Sequence, residues 1–526
     1  MQYGIYSANE WVYTDSPAQG GGKISLLAPR GSFACVQLRT ERDGLRWRFE
    51  GDGALRPALY RLLPVFVEKN TGERGFTVEQ GTEVPYAPRM APFWVYDAME
   101  PADPELTAPR AEAPLALYVK IPTAGLHAGE YRTTLVLTED TAEETRIPIT
   151  VTVAAVSVPR TETLRLTNWY SLGNMATYHE AEPWSEDHWD RIEMYGRKMR
   201  EGRQTDFQVP FPLAEPHRGD DGTYTFDFSR AERFIELYLS LGFRFIEGDT
   251  PVCREEWSRP DFVVSIGGKP VPALSEEGYA FLQGYFTGWY RLLREHHWLD
   301  FVYQHVADEP HDDCAADYRI LSGMVRKWMP GVRVIEAVEN PRFDGAVDVW
   351  VPKDDSYERD REAYERKRLL GDELWFYTCC CPGGRYLNRL LDEELLRTRY
   401  LHWGNFRYGL TGYLHWGLNH YECTDDPYAG RAGSIETLSV TALPCGDSHI
   451  LYPKGKEVLG SVRFEMMRAG CEDYELLQRL RQRNPAAAEA VVTRCVRSFS
   501  DYTAEVPVFE AAYAALLHAL GGEETV

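Results

Sequence analysis

No stretch of the 526 residues approaches the roughly 18 to 20 consecutive apolar residues that a membrane-crossing helix requires. Residues 1–14 lack the basic start and following apolar run of a secretory leader, so a cytoplasmic protein with no membrane partner is expected. Basic residues are also short: 57 Lys and Arg against 80 Asp and Glu leave a net charge of −23. That balance argues against a nucleic-acid partner, because binding phosphate needs a basic surface. The 10 cysteines are scattered except for Cys379, Cys380 and Cys381, with no CxxC pair and no Cys/His spacing of a zinc site. Reduced, mostly buried thiols and no metal are expected. No GxGxxG or Walker loop marks a nucleotide, and no GxSxG marks a serine nucleophile. No cofactor is implied.

Aromatic rings, by contrast, are plentiful. They make up 13% of the chain, with 14 Trp and 31 Tyr. Sugar-binding clefts use such rings as stacking platforms, although large cores use them too. A chain of this length must divide into two or three domains. Residues 1–157 read as a β-sandwich, with short alternating runs at 33–38, 59–67, 115–121 and 132–137 separated by Gly, Pro and acidic turns. Residues 129–138 and 146–153 form a β-branched hairpin around a polar link. From 158 to 460 strand and helix patterns alternate. Candidate strands lie at 164–170, 205–210, 243–248, 301–306, 332–337, 346–351, 374–378 and 412–416. Helices are expected at 187–201, 229–241, 275–297, 312–328, 357–370 and 393–408, with little room for one after the fifth strand. Eight strands with intervening helices suit a (β/α)8 TIM barrel. An open doubly wound sheet competes, without a nucleotide loop to support it. Residues 461–526 read as C-terminal helices on the barrel.

The sequence FVYQHVADEPHDD at 301–313 organises the rest. A strand that ends in Asp308, Glu309 and Pro310 places acid groups at its carboxyl end, where barrel enzymes keep their chemistry. Pro310 has no backbone N–H and biases Glu309 toward extended geometry, so the strand stops there. The other strand ends would bring to the same face Asn168, Trp169 and Tyr170; Gln208; Glu247 and Asp249; His305; Glu336 and Glu339; Tyr377 and Thr378; and His415, Trp416 and Asn419. Carboxylates beside ring faces in a concave mouth suit glycoside chemistry, which needs a proton donor for the leaving oxygen and apolar plates for sugar CH groups. Ordinary glycosidases flank the scissile bond with two carboxyl groups about 5 to 5.5 Å apart when retaining, and further apart when inverting. Chain neighbours approach from one side instead. They fit a case in which one acid protonates the leaving group while the other orients a nucleophile belonging to the substrate, such as the amide oxygen of a 2-acetamido sugar.

The stretches HVADEP at 305–310, LWFYTCCCPGG at 374–384, GYLHWGLNHY at 412–421, GDSHILYP at 446–453 and SVRFEMMRAGCEDYE at 461–475 together carry a likeness to known proteins. By them the chain resembles glycoside hydrolase family 123, the β-N-acetylgalactosaminidases, and the wider group sharing their catalytic domain. It implies a sandwich before a barrel, and an oligosaccharide or glycoconjugate as substrate. Carried over, Asp308 would hold and polarise the acetamido group, and Glu309 would serve as general acid and then base. Tyr377 and Trp416 would wall the acetamido pocket or fill the barrel. Trp169, Glu247 and His305 would contact substrate; His305 alternatively tunes Asp308 or is a satisfied core histidine, and Glu247 with Asp249 alternatively forms an exposed loop pair. Asn419 would bind a hydroxyl or cap a loop. The acids at 471–475 are expected as surface or capping groups on the terminal helices, and three consecutive cysteines depart from the family pattern. Two other functions stay open: a glycosidase for a non-acetamido sugar with Glu247 or another rim carboxylate as nucleophile, and a catalytically silent carbohydrate-binding protein.

Overall fold

The computed structural model describes every residue except 111–112, 257–258, 425, 430–442 and 522–526. The N-terminal unit is the expected sandwich. A seven-stranded sheet, built on Phe33–Thr40, Leu115–Pro122, Ala58–Val67 and Phe93–Pro101, faces a five-stranded sheet that includes the Gly129–Thr138 and Glu144–Ser157 hairpin. Ile24, Leu117, Val119, Leu135 and Ile147 fill the space between them. The larger sheet is buried on both faces. Its second face packs Leu62, Val65 and Tyr96 against Leu395, Tyr452, Val462 and Met466, which explains why Leu115–Pro122 is apolar on both sides rather than alternating.

Eight parallel strands follow: β1 Arg165–Asn168, β2 Asp206–Val209, β3 Phe245–Gly248, β4 Val302–Gln304, β5 Arg333–Val338, β6 Val349–Pro352, β7 Glu373–Tyr377 and β8 Gly412–His415. Each expected strand is present, with its ends shifted by up to three residues. Neighbours pair in chain order and β8 pairs with β1, giving a nearly closed barrel. The seam between β1 and β2 is closed largely by side chains. The Leu166 N–H donates to Thr205 Oγ1 at 2.9 Å, and the Gln204 amide bonds to Asn168 and to the Asp206 carbonyl. Ile335, Ala337, Val349, Val351, Trp375 and Leu414 pack inside the barrel, while Val334, Val338, Trp350 and Phe376 pack toward the helices. Gly412 is required by this filling, since a Cβ there would lie 2.1 Å from the Trp375 ring. The barrel floor is an ion pair, with Arg165 Nε 2.9 Å from Asp206 Oδ2 and its guanidinium under Phe245 and Tyr303.

Helices Glu186–Glu201, Ser229–Ser240, Glu276–Glu295, Ala315–Trp328 and Leu396–Tyr408 match expectation, and no helix separates β5 from β6. The expected helix at 357–370 is broken into Asp354–Arg359 and Arg361–Leu369. Three features depart from the sequence reading. A hairpin (Glu215–Arg218 with Tyr224–Asp227) and a three-stranded sheet (Val252–Arg254, Phe262–Ile266, Lys269–Pro272) are inserted after β2 and β3. Just ahead of the expected C-terminal helices the chain forms a strand, Glu457–Ser461, which joins the N-terminal sheet through Gly460–Met99 and Ser461–Ala98. The helix Val462–Arg483 is buried along most of its length, and so are the acids assigned to the surface. Asp473 accepts from Arg399 and from the Trp403 indole, and Glu475 accepts from the Thr163 and Leu164 N–H groups. They are inside because their partners are inside, on the neighbouring helix and at the start of β1. Two further helices, Pro485–Cys495 and Val506–Gly521, end the described chain. Among the described residues, no helix is long and apolar enough to cross a membrane.

Candidate active site

The site grows from the carboxyl ends of β1, β3, β4, β5, β6 and β7. Its deepest layer is a line of buried polar groups. His305, just past β4, places Nε2 2.6 Å from Glu247 Oε1 and Nδ1 3.0 Å from Glu336 Oε1. Burial alone would depress the imidazole, but hydrogen bonds to the two carboxylates hold it well above its ordinary value. Glu247 Oε1 also accepts from the Trp169 indole at 2.7 Å, and that ring meets His305 edge-on. The second oxygen of Glu247 is buried without a partner. Glu336 fixes the loop above: its Oε2 accepts from the N–H groups of Val306 and Ala307 and from the Tyr318 hydroxyl, each at 3.0 Å. A carboxylate bonded to two consecutive backbone amides sets the course of the chain into Asp308.

Asp308 and Glu309 stand at the end of that loop, both partly buried. Glu309 adopts φ 45°, in the left-handed region that non-glycine residues avoid. The extended geometry expected before Pro310 is therefore not adopted, and the strand ends earlier, at Gln304. Burial pushes Asp308 well above the usual carboxylate range, with the neighbouring Glu309 and Glu336 adding to the shift. Its Oδ1 is buried with no hydrogen-bond partner, while its carbonyl accepts from Arg254 at 3.0 Å. Burial lifts Glu309 to about 7, against the lowering pull of Lys353 and the hydrogen bond that the Tyr377 hydroxyl donates to its Oε1. Two adjacent carboxyl groups thus both favour the protonated form, one of them near neutrality.

The remaining expected residues divide. Tyr377 is buried at the end of β7 and packs with Trp169 in the barrel interior cluster. Trp416 packs against the group of Cys380, Cys423 and Leu443, and its indole lies 3.3 Å from Asp447 Oδ1. Asn419 is fully buried, and both ends of its amide are bonded to the Ser171 backbone at 2.8 and 3.1 Å, so it braces the loops after β1 and β8. Asp249 accepts from the Phe211 and Thr250 N–H groups and caps loops. Lys353 was not singled out from the sequence. Directly after β6, its Nζ lies 2.5 Å from Glu339 Oε1 and 3.4 Å from Cys381 Sγ. The available signal was a single lysine following the apolar run VWVP, at the same strand end that the acids occupy in β4 and β5. Asp447, pushed by burial up to about 7 and with Oδ2 unpartnered, lies within the quoted stretch GDSHILYP but was given no role.

A barrel mouth with raised carboxyls, buried rings and a hydrogen-bonded acid holds the groups that glycoside hydrolysis needs. The family model described as "Glycoside hydrolase 123, catalytic domain" matches residues 169–480, and the chain belongs to glycoside hydrolase family 123. Among solved structures, a family 123 glycoside hydrolase from Clostridium perfringens, reported for glycolipid glycan hydrolysis, superposes with TM-score 0.71 at 12% identity, covering 99% of this chain and 98% of that one. A β-galactosidase from the psychrophilic Marinomonas ef1 gives TM-score 0.38 at 11% identity over 63% of this chain and 62% of its own. A family 39 glycoside hydrolase from Bacteroides cellulosilyticus WH2 gives 0.36 at 11% identity, covering 82% and 80%. A search of the curated proteins found no match.

Proposed function

We propose that this glycoside hydrolase is a retaining exo-enzyme that removes a β-linked N-acetylhexosamine, most readily N-acetylgalactosamine, from an oligosaccharide or glycoconjugate by substrate assistance. Glu309 protonates the leaving oxygen. Asp308 accepts the acetamido N–H and turns the amide oxygen onto the anomeric carbon. The oxazoline that forms is then opened by water, with Glu309 as base. The observation that supports this reading is the pairing of Asp308 Oδ1, buried without a donor, with a neighbouring Glu309 poised near 7. An acetamido N–H supplies the hydrogen bond that the free Asp308 lacks, and such a bond favours the charged carboxylate needed to stabilise an oxazolinium. Glu309 near 7 suits a group that must give a proton and later take one. Tyr377, Trp169 and Trp416 serve as walls for the sugar. No cofactor enters this chemistry, and the expected setting is cytoplasmic.

The test compares aryl β-glycosides with and without the 2-acetamido group. Substrate assistance requires the acetamido compounds to be strongly preferred, and Asp308→Asn to slow them by roughly 100-fold, the scale of losing one group that stabilises developing charge. Equal turnover of both series, or near wild-type activity in Asp308→Asn, overturns the proposal. Trapping by an activated fluorosugar on Glu247, whose Oε2 is also unpartnered, would establish the protein-nucleophile mechanism instead.

A further inference from the structure

Immediately beyond Tyr377 the chain places three cysteines whose sulfurs converge. Consecutive residues of an extended strand point to opposite faces, yet here the Sγ atoms of Cys379, Cys380 and Cys381 all lie within 4.8 Å of one another. Cys379 Sγ is 3.8 Å from Cys381 Sγ and 4.0 Å from Cys380 Sγ. All three are free thiols. With a metal–sulfur bond of about 2.3 Å, simple geometry gives a sulfur–sulfur separation of about 3.8 Å for tetrahedral and about 4.0 Å for trigonal coordination. The two measured distances fall on those values.

The cluster is held by groups outside itself. Asn388 Nδ2 donates to the Cys379 carbonyl at 2.8 Å, and the Phe76 N–H donates to the Cys380 carbonyl at 3.2 Å. The sandwich-domain loop presses so closely that a Cβ on Gly75, at φ +85°, would lie 2.3 Å from that carbonyl and 2.5 Å from Cys381 Cβ. Backbone fixed on both sides means that the thiols need little rearrangement to share a ligand. Lys353 Nζ, 3.4 Å from Cys381 Sγ, completes the arrangement. Three thiolates around a divalent cation leave one net negative charge, and an ammonium that donates to a ligating sulfur is the outer-shell partner such a group needs.

We propose that Cys379, Cys380 and Cys381 form a binding site for a thiophilic divalent cation of the zinc or cadmium type, coordinated by three sulfurs and braced by Lys353. Binding replaces each remaining S–H bond with a metal–sulfur bond, and the protons released pass to solvent. The ligands are distinct from the groups of the sugar chemistry, since neither Asp308 nor Glu309 is among them, while Lys353 faces both sites.

Cadmium alone is the probe. Titrated into the reduced 526-residue chain, it should give an ultraviolet sulfur-to-cadmium charge-transfer band that saturates at one equivalent, and zinc in excess should compete for the site. Cys380→Ser should weaken binding at least tenfold, and a Cys379→Ser/Cys381→Ser double variant should abolish the band. Cys253→Ser, which alters an exposed thiol, should leave it intact. Cadmium-edge X-ray absorption of the unmutated protein needs no variant to fold, and should count three sulfurs. No saturable band, an oxygen- and nitrogen-only shell, or a band unchanged in both cluster variants overturns the proposal.

Discussion

The Tyr377 hydroxyl donates to Oε1 of Glu309, tying the end of β7 to the loop after β4. This bond favours the ionised carboxylate and so opposes the burial that lifts Glu309 to about 7. Removing the hydroxyl in Tyr377→Phe therefore raises Glu309 further. A hydrogen bond to a charged group is worth about 1.5 to 3 kcal/mol, or about one to two pH units. If Glu309 is the general acid, activity is lost as pH rises through its titration. The alkaline limb of kcat/KM should then move up by about one unit or more in Tyr377→Phe. The check is a pH–rate profile on an activated 2-acetamido glycoside. A limb that stays in place would separate Glu309 from the proton transfer.

The same raised acid makes a statement about stability. Glu309 is held at about 7 in the folded protein, against an ordinary 4.5. Its protonated form is favoured by the fold, so the associated stability is complete below about 4.5 and is lost as pH rises through about 7. Glu309→Gln keeps the shape and an acceptor for Tyr377 but cannot ionise. Relative to the unmutated protein, the variant should gain on the order of 3 kcal/mol between pH 4.5 and pH 8. Urea unfolding at the two pH values measures the difference directly. An identical offset at both would mean that Glu309 titrates normally.

The barrel was legible because its strands are buried on both faces and read as apolar runs closed by turn residues, as in FVYQHV and VWVP. The acid pair was legible because Asp308, Glu309 and Pro310 follow such a run directly. What escaped depends on partners distant in sequence. Glu457–Ser461 is a strand only because Ala98 and Met99 offer an edge to pair with. The inserted strands around 215–227 and 252–272 are three to five residues long, below the length at which periodicity separates strand from loop. For Asn419 the sequence left two roles open, hydroxyl ligand or loop cap, and the Ser171 backbone contact that its amide makes is one that only the fold creates. The acids of the helix Val462–Arg483 read as surface because a lone carboxylate in a helix is a surface feature unless a cation is buried beside it.

Asp473 gives the measure of that last error. Its two oxygens accept from Arg399 Nε and Nη2 at 2.7 and 2.9 Å, and Oδ2 also takes the Trp403 indole at 2.9 Å. Arg399 extends the same network to Asn9 Oδ1 at 2.8 Å, so one carboxylate links the barrel helix Leu396–Tyr408, the helix Val462–Arg483 and the N-terminal domain. Asp473→Ala leaves a buried guanidinium without its counter-charge and an indole N–H without an acceptor. Breaking a buried pair from one side costs about 3 to 5 kcal/mol, whereas a solvated surface acid costs within about 0.5 kcal/mol. Urea unfolding should show the larger loss in Asp473→Ala. Arg399→Met with Asp473→Leu should recover much of it, because removing both charges also removes the uncompensated one. A single variant within about 0.5 kcal/mol of the unmutated protein would return Asp473 to the surface role that its sequence suggests.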